Sequence, residues 1–448
     1  MIGGGGVRTP LVIYGLAQSQ GLVDFDELAL FDVDLERTEI IANIGREIVR
    51  KLGADFRISV YPKLEDAVQG SEFILNSIRV GGISARARDE RIAIEHGLAG
   101  QETTGPGGAA MALRTIPVTL DHASVVERVA PDAWFINFTN PAGLITQALT
   151  QHTGLRVIGI CDTPIELFHR IAWSLGEPYE EMKFEYAGLN HLGWVSRVIV
   201  RGVDVTEKLL SDEDALRRLY PAHLFDPALI QALRLIPTEY LFFYYGQRKA
   251  HVNQMHAGAS RGEELERMNL DLFRRLGEEN GAAGLRTYTE YLLRRNASYM
   301  KLESEGASAF DVPREEYDPF ETATGYHRIA LDVITALISV QSREVVVNVA
   351  NRGSIDGLEA SDIVEVPCDI DRNGPVPRRI GRLAESVRGL VLAVKAYERT
   401  TIRAAVEKSS RLADLAMLEY PIIGQWDVAC AVREALVRSD PRYLGYLT

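Results

Sequence analysis

The sequence predicts a two-part α/β protein. A Rossmann-like, doubly wound parallel sheet is expected over residues 1–183 and an α+β domain over residues 184–448. Over the first 160 residues, short apolar runs alternate with helix-like segments, which is typical of parallel strands joined by crossover helices. After residue 183 the pattern changes to adjoining strand-like runs and longer helices. This change predicts a second domain that closes over the first.

Five apolar or β-rich runs are the predicted strands of the first domain: 28–31, 57–61, 73–78, 134–137 and 157–160. Residues 40–52 have the apolar spacing of an amphipathic helix. Ligands bind such sheets at the carboxyl ends of the strands. The first site candidates are therefore Asp32, Arg79, residues 137–140 and Cys161.

In the second domain, strands are predicted at 184–200 and 345–366, several helices over 206–300, and long helices over 380–436. The run Pro-Thr-Glu-Tyr-Leu-Phe-Phe-Tyr-Tyr at 237–245 predicts an aromatic helix. The acidic loop 303–321 is polar and contains glycine and prolines, so it is predicted to be mobile.

Composition excludes several classes of protein. The 448 residues are 46% hydrophobic, enough to form the cores of two domains. The net charge of −13 argues against binding to nucleic acid or to an anionic membrane. The absence of a long apolar run or a leader-like start predicts a soluble, cytoplasmic protein. The cysteines, Cys161, Cys368 and Cys430, are too few for a disulfide framework and fit a reducing compartment.

A glycine cluster, Gly3 to Gly6, opens the chain and predicts a turn at which a dinucleotide pyrophosphate approaches the backbone. Such clusters are also ordinary turns, so the cluster alone leaves both interpretations open. Asp32 lies 26 residues beyond Gly6, where a carboxylate can bond both ribose hydroxyls. Because a carboxylate repels a 2′-phosphate, Asp32 favours NAD over NADP.

A dinucleotide-binding sheet needs a strand before its glycines, and only Met1 and Ile2 precede them here. Two interpretations stay open. Either the start of the chain is truncated or wrongly assigned, or the first strand is vestigial. Whether so short a strand supports NAD binding is a question that the sequence leaves open.

Cys161 and His191 are the candidate metal ligands, a thiol and an imidazole 30 residues apart. Cys161 follows a predicted strand and precedes Asp162 and a proline-opened helix, which bring a carboxylate and a helix N-terminus to the same point. Taken singly, a buried cysteine is more often a small hydrophobe and a histidine a core residue. Asn190 and the flanking glycines favour a site beside His191.

The loop 100–108, Gly-Gln-Glu-Thr-Thr-Gly-Pro-Gly-Gly, offers amides, hydroxyls and the Glu102 carboxylate to a polyhydroxylated ligand. An ordinary surface loop is the alternative. Arg86 and Arg261 predict a phosphate clamp, because the guanidinium fork matches phosphate oxygens. For Arg86 the alternative is a solvated helix face.

An ordered set of motifs extends along nearly the whole chain: Gly3-Gly-Gly-Gly-Val-Arg-Thr-Pro, Arg79-Val-Gly-Gly, Arg86-Ala-Arg-Asp-Glu, Gly100-Gln-Glu-Thr-Thr-Gly, Asn137-Phe-Thr-Asn-Pro, Gly159-Ile-Cys-Asp-Thr-Pro, Gly188-Leu-Asn-His and Ile363-Val-Glu-Val-Pro. Together this set resembles glycoside hydrolase family 4. The loop 100–108 with Leu113-Arg-Thr-Ile-Pro is most similar to the 6-phospho-β-glucosidases. Asp162 instead resembles the phospho-α-glucosidases, because the β branch often has asparagine there.

The resemblance implies hydrolysis by redox elimination with a bound NAD⁺ and a divalent metal, Mn²⁺ first. The implied steps are oxidation at C3, deprotonation at C2, elimination of the C1–O bond, water addition and re-reduction. Tyr240, from its place in a Pro-x-x-Tyr-Leu pattern, would take the C2 proton, with Tyr244 and Tyr245 as alternatives. Asp162 or water would protonate the leaving group. Cys161 and His191 would hold the metal.

The resemblance also implies the other site residues and the assembly. The NAD contacts would be Gly3, Gly4, Gly5, Gly6, Val7, Asp32, Arg37, Asn76 and Asn137. The substrate contacts would be Arg86, Glu102, Asn140, Asn190 and Arg261, acting on phosphorylated disaccharides such as cellobiose 6-phosphate. The second domain would be of the lactate/malate dehydrogenase C-terminal type, and the chain would form a homodimer or homotetramer.

Other functions stay open. One is a family member acting on α-linked 6-phosphoglucosides or on unphosphorylated sugars; Asp162-Thr163 argues against the latter, whose metal cysteine is usually followed by His-Ser. Another is a 2-hydroxy-acid dehydrogenase of the same fold, which would produce net NADH and need no metal thiolate. A third is a non-catalytic NAD-binding regulator, which would show no turnover.

Overall fold

The computed structural model describes residues 1–220, 224–300, 319–320 and 325–448. The predicted mobile loop 303–321 lies outside these residues except for 319 and 320. Over the described ranges the strands are β1 (Glu27–Leu30), β2 (Arg57–Val60), β3 (Phe73–Asn76), β4 (Trp134–Asn137), β5 (Arg156–Gly159), β6 (Met182–Leu189), β7 (Leu192–Val200), β8 (Val203–Asp204), β9 (Ile236–Pro237), β10 (Arg343–Ala350), β11 (Ile363–Asp371) and β12 (Gly374–Pro377).

The helices cover both faces of the sheet and most of the second half of the chain. They are α1 (Thr9–Gln18), α2 (Leu35–Leu52), α3 (Leu64–Val68), α4 (Gly82–Glu95), α5 (Gly105–Val129), α6 (Ala142–His152), α7 (Thr163–Leu175), α8 (Thr206–Ser211), α9 (Glu213–Arg218), α10 (Pro227–Leu233), α11 (Phe242–Tyr245), α12 (Gln247–Ala257), α13 (Arg261–Leu276), α14 (Gly281–Ala297), α15 (Tyr326–Ile338), α16 (Glu385–Val406), α17 (Ser410–Glu419), α18 (Trp426–Ser439) and α19 (Pro441–Leu444). Short 3₁₀ turns occur at Tyr179–Glu181, Glu239–Leu241 and Gly445–Leu447.

The first half of the chain forms the predicted parallel sheet. β1 pairs with β2, and β3, β4 and β5 pair in that order, all in parallel. Phe135, Ile136 and Ile158 on the central strands are fully buried, as expected for strands covered by helices on both faces. The predicted α/β fold is confirmed.

Ile2 joins the two groups of parallel strands. It forms parallel bridges with both Phe31 and Asn76, beside the ends of β1 and β3. Its N–H donates to the Leu75 carbonyl over 2.8 Å, and its own carbonyl accepts from Ser77 N–H over 2.9 Å. A two-residue segment thus takes the place of the first strand and gives the strand order of a dinucleotide-binding sheet.

The second half continues the same sheet with antiparallel strands. The ten-stranded sheet has the order β3-β4-β5-β10-β11-β6-β7-β8, with β12 on β11 and β9 on β7. β5 and β10 meet where Gly159 pairs with Asn348. The domain boundary predicted at residue 183 falls inside β6, and strands from both predicted domains share one sheet.

One predicted element is corrected. Residues 237–245 do not form a single aromatic helix. The segment comprises the end of β9, a 3₁₀ turn at Glu239–Leu241 and the one-turn helix α11. Pro237 pairs with Trp194 of β7 and so ends the strand before the helix begins. None of the helices in the described residues is long and apolar enough to span a bilayer.

Candidate functional site

A cavity of about 720 Å³ lies at the carboxyl ends of the parallel strands. Many of the residues singled out from the sequence line it: Gly3, Gly6, Val7, Asp32, Arg37, Arg86, Glu102, Asn140, Cys161, Asp162, His191, Tyr240 and Arg261. Gly4, Gly5, Asn76, Asn137 and Asn190 lie outside the lining. The cavity therefore brings together the glycine loop, the thiol and imidazole pair, and the two arginines.

The glycine loop packs closely against the ends of β1 and β3. Gly3 has φ +87°, and a Cβ there would lie 2.3 Å from the Ser77 carbonyl oxygen. At Gly5 a Cβ would lie 2.9 Å from Thr38 Oγ1. Larger residues are excluded at both positions. The N–H groups of Gly3, Gly4 and Gly6 donate to backbone carbonyls, so the loop presents the bare Cα atoms of Gly3 and Gly6, with Val7 just before α1, to the cavity. This arrangement suits a pyrophosphate.

Two charged side chains hold this loop in place. The Asp32 carboxylate accepts from Gly5 N–H over 3.0 Å, and Arg37 Nε donates to the Gly5 carbonyl over 2.6 Å. Asp32 also lines the cavity at the end of β1, where a ribose-binding carboxylate is expected. The observed contacts of Arg37 are with the loop itself and with the ring of Phe273.

Asn76 and Asn137 connect adjacent strand ends. They face each other across β3 and β4, and Asn76 Nδ2 donates to Asn137 Oδ1 over 3.0 Å. Asn76 Nδ2 also lies 3.1 Å from Thr139 Oγ1, and Thr139 lines the cavity. Both asparagines are fully buried, so the contacts observed for them fix the floor of the cavity.

Cys161 and His191 both line the cavity, and each lies just beyond the end of a strand of the large sheet. Cys161 follows β5 and precedes α7, and its Sγ lies 3.3 Å from Thr163 Oγ1. His191 lies in the turn between β6 and β7 with φ 61°, and its Nδ1 lies 2.9 Å from Thr103 Oγ1. Burial raises the pKa of the Cys161 thiol and lowers the pKa of His191 to about 4. Within the described ranges, no third His, Cys, Asp or Glu completes a metal cluster with this pair.

Tyr240 is the cavity-lining member of the three candidate tyrosines. Its ring stacks on the His191 imidazole with centroids 3.8 Å apart. Burial raises the pKa of the Tyr240 phenol well above its usual value, and the nearby carboxylate of Glu102 adds to the shift. Tyr244 instead hydrogen-bonds the Tyr420 hydroxyl over 2.9 Å, and Tyr245 also lies outside the lining.

A second group of charges borders Cys161. Asp162 lies 3.7 Å from Arg8, and burial raises the pKa of its carboxyl. Burial, with the charges of Asp162 and Glu239, raises the pKa of Glu166 to about 8. Glu239 accepts from Arg170 over 2.5 Å. These four residues, Arg8, Glu166, Arg170 and Glu239, were not identified from the sequence. The one sequence signal for them is that Glu166 lies one helical turn after Asp162.

Glu102 joins two arginines of the cavity wall. It pairs with Arg79 over 2.5 Å and with Arg86 over 2.9 Å. Burial alone would raise the pKa of Glu102, but Arg79 and Arg86 outweigh it and hold that pKa well below its usual range. Burial opposes the charge of Arg86, but Glu102 and Glu90 outweigh it and raise the pKa of Arg86. Arg86 therefore lies in the cavity wall and not on a solvated helix face.

Arg261 is the first residue of α13 and also lines the cavity. Its Nη1 donates to Ser298 Oγ over 2.5 Å, and its Nη2 donates to the Arg295 carbonyl over 2.9 Å. Burial and the nearby Arg295 charge lower its pKa, and the Glu264 carboxylate, 2.5 Å from its Nη1, opposes that shift. Asn190, in contrast, accepts from Ala142 N–H and donates to Glu365, so its amide holds the backbone beside the site.

The family is shown by comparison with known proteins. The sequence model for family 4 glycosyl hydrolases matches residues 1–177, and the model for the C-terminal domain of that family matches residues 186–423. The chain belongs to glycoside hydrolase family 4. It is therefore a glycosidase, as the motifs predicted.

Members of family 4 resemble the chain over its full length. The 6-phospho-β-glucosidase of Escherichia coli is 29% identical over 98% of this chain and 94% of that protein. The solved 6-phospho-β-glucosidase of Thermotoga maritima, with manganese, NAD⁺ and glucose 6-phosphate, has a TM-score of 0.82 at 27% identity, covering 99% of this chain and 98% of that one.

A solved 6-phospho-α-glucosidase from gut microorganisms, in complex with NAD and glucose 6-phosphate, is nearly as similar. It has a TM-score of 0.81 at 26% identity and covers 99% of this chain and 97% of that one. The malate dehydrogenase of Cryptosporidium parvum, at 13% identity and a TM-score of 0.52 over 91% of this chain, shares the fold alone. The predicted dehydrogenase-like architecture is thus confirmed for a family 4 enzyme.

Proposed function

We propose that this family 4 glycosidase hydrolyses 6-phospho-β-glucosides, with NAD⁺ and Mn²⁺ as bound cofactors. One observation carries the proposal. A single cavity is lined by the glycine loop with Asp32, by Cys161 and His191, and by Tyr240 and two buried arginines. The manganese, NAD⁺ and glucose 6-phosphate in the Thermotoga maritima relative support the same set of ligands here.

The glycine loop fits NAD⁺. The N-terminus of α1 would bind the pyrophosphate, which the absence of side chains at Gly3 and Gly6 lets approach the backbone, and Asp32 would bind the ribose hydroxyls. Arg37, Asn76 and Asn137 would contribute by holding the loop and the strand ends, which is what their contacts support. Asn140, which lines the same cavity, would contact the sugar.

The thiol of Cys161 and the imidazole of His191 fit a soft or borderline divalent metal. When bound, NAD⁺ would accept hydride from C3 of the sugar and the metal would act as a Lewis acid toward the sugar oxygens. Both effects would make the proton on C2 more acidic. Cys161 and His191 would be the side chains that hold the metal. Thr163 would hold the Cys161 sulfur in place.

Tyr240 would take the C2 proton. The stacked imidazole fixes its ring. Because burial and Glu102 raise the pKa of the phenol, the bound metal or Arg86 would have to stabilise the phenolate. Asp162 would protonate the leaving oxygen, because its carboxyl lines the cavity directly beside Cys161. Arg86 and Arg261, both largely buried, would bind the 6-phosphate, and Glu102 would keep Arg86 oriented toward it.

The test is release of p-nitrophenol from p-nitrophenyl β-D-glucoside 6-phosphate, with NAD⁺ and Mn²⁺ omitted in turn and the α-anomer assayed in parallel. We expect β hydrolysis that requires both cofactors and accumulates no NADH. Cys161→Ser should abolish the Mn²⁺-dependent release of p-nitrophenol. Cys430→Ser, on α18 and outside the cavity, is the matched control.

Three results would contradict the proposal. Preferential hydrolysis of the α-anomer would show that the chain is a phospho-α-glucosidase, the branch that Asp162 resembles. Hydrolysis of unphosphorylated glucosides alone would remove the role of Arg86 and Arg261. Accumulation of NADH with a 2-hydroxy acid would indicate a dehydrogenase.

A further inference from the structure

Thr103 is hydrogen-bonded to the imidazole of His191. Its Oγ1 is 2.9 Å from His191 Nδ1, and both side chains are buried. A neutral imidazole carries one proton on either of its two nitrogens, and the hydrogen bond at one nitrogen decides which carries it. The direction of the bond to Thr103 therefore decides whether His191 has a lone pair at Nε2.

Gln101 supports one direction for that bond. Its Oε1 accepts from the backbone N–H of Thr103 over 2.6 Å and from that of Thr104 over 2.7 Å. Backbone N–H groups only donate, so the accepting atom is the amide oxygen and not the amide nitrogen. The Thr103 hydroxyl lies 2.9 Å from the same oxygen, which can only accept from it. With its single hydrogen on Gln101 Oε1, Thr103 Oγ1 offers only lone pairs to His191.

We infer that Gln101 and Thr103 form a relay that holds His191 in its Nδ1–H tautomer and leaves the Nε2 lone pair for a metal. Because a metal at His191 is part of the proposed function, the relay's purpose rests on that function. The relay itself is a property of the protein without metal. Gln101 and Thr103 act through His191 and are positioning residues.

The relay is held rigidly. Gly100 N–H donates to Gln254 Oε1 over 2.8 Å, and Gln254 Nε2 donates to the Gly100 carbonyl over 2.7 Å, which fixes the loop to α12. A Cβ at Gly108 would lie 2.3 Å from the Thr103 carbonyl oxygen, so the loop also packs against the first turn of α5. Such support presets the orientation of a ligand side chain.

The same loop serves a second part of the site. Glu102, between the two relay residues, joins Arg79 and Arg86. The three residues 101–103 thus orient the proposed metal ligand on one side and a proposed phosphate-binding arginine on the other. A displacement of this stretch would disturb both together.

The tautomer is measured by long-range ¹H–¹⁵N NMR of metal-free protein containing ring-labelled histidine. The chain has nine histidines, and the His191 signals are those lost in His191→Gln. We expect a protonated Nδ1 and a bare Nε2 in the wild type. Thr103→Val should shift His191 toward the other tautomer, whereas Thr103→Ser, which keeps the hydroxyl, should restore the wild-type pattern.

Thr104→Val is the matched control. Thr104 is buried in the same loop, and its hydroxyl lies 3.2 Å from Gln101 Oε1, but its hydrogen bonds do not include His191. This variant should leave the tautomer unchanged. A bare Nδ1 in the wild type, or an unchanged tautomer in a folded Thr103→Val protein, would overturn the relay.

Mn²⁺ affinity, measured from the EPR signal of free Mn²⁺ in the presence of NAD⁺, tests its purpose. Thr103→Val should weaken binding about 10- to 100-fold, the usual effect of removing a hydrogen-bond partner of a metal ligand. Thr103→Ser and Thr104→Val should bind as the wild type does. If Cys161→Ser leaves the affinity unchanged, the proposed metal site is wrong, while the tautomer experiment still decides the relay.

Discussion

The phenol ring of Tyr240 lies on the imidazole of His191, with the ring planes inclined by only 8°. The two residues are far apart in the chain and are joined by a strand pairing. β9 pairs with β7, and the N–H of Thr238 donates to the Gly193 carbonyl over 3.0 Å. The turn that carries His191 and the turn that carries Tyr240 are therefore fixed relative to each other. The proposed proton acceptor and the proposed metal ligand form one rigid unit.

Replacing Tyr240 by Phe is expected to lower kcat about 10²- to 10⁴-fold, the usual contribution of a general base. The stacked ring is retained, so the loss is assigned to the hydroxyl. The direct measurement is incorporation of solvent deuterium at C2 of the sugar, followed by NMR. Tyr245→Phe, on the same aromatic segment but outside the cavity lining, should exchange normally. Normal exchange in Tyr240→Phe would assign the base elsewhere.

Asp32→Asn is expected to reduce the preference for NAD⁺ over NADP⁺. The amide keeps an oxygen for the Gly5 N–H, so the loop is retained, but the charge that repels a 2′-phosphate is lost. The dissociation constant of NADP⁺ divided by that of NAD⁺ should fall by about tenfold. Calorimetric titration measures both constants. Asp26→Asn, an exposed carboxylate just before β1, should leave the ratio unchanged; an unchanged ratio in Asp32→Asn would exclude Asp32 from cofactor selection.

Arg261→Lys is expected to raise KM for the phosphorylated substrate about 10- to 100-fold, because a lysine replaces a two-pronged contact with a point charge. Ser298 and the Arg295 carbonyl would also lose their guanidinium donor. Arg274→Lys, on the exposed face of the same helix α13, is the control. Steady-state kinetics with and without the 6-phosphate separate a phosphate contact from general damage, which would raise both KM values.

His327 is expected to make the protein acid-sensitive. It is 3% exposed, its Nδ1 has no hydrogen-bond partner among the described residues, and burial lowers its pKa from 6.5 to about 4. The unfolded chain therefore binds the proton more tightly. The stability contributed by neutral His327 is complete above pH 6.5 and is lost as the pH falls toward 4, by about 3 kcal/mol in total.

Thermal unfolding of the wild type and of His327→Gln at pH 8 and pH 4.5 measures this effect. The Tm of the wild type should fall further between pH 8 and pH 4.5 than the Tm of the variant. His256→Gln, at an exposed position on α12, should behave as the wild type does. An equal loss of Tm in wild type and His327→Gln would show that other groups cause the acid sensitivity.

Much of the fold and part of the site follow from local sequence patterns. Apolar runs ending in polar residues identify parallel strands, and this brings Asp32 and Cys161 to one edge of the sheet. The glycine loop is recognisable because close approach of the backbone excludes other residues. These features depend on short stretches of chain and on the side-chain period of a strand.

Other features depend on register and on distant pairings. Asn76 and Asn137 are both expected at strand ends, but their mutual hydrogen bond follows from the alignment of β3 with β4. The stacking of Tyr240 on His191 needs the short strand β9, which has too few residues to show an alternating pattern. Thr103 is one of two adjacent threonines, and the sequence gives no means to tell which one reaches His191.

The pairing of Gly159 with Asn348 limits how this enzyme can be recombined. Two sequence models meet near residue 180, and that junction is the obvious point for building chimaeras between relatives. Cys161 lies two residues beyond Gly159, so its position is set on one side by a strand from the later part of the chain. A chimaera would need a β5 from one parent that pairs correctly with the β10 of the other. We therefore expect specificity to be transplanted more readily loop by loop than by swapping halves.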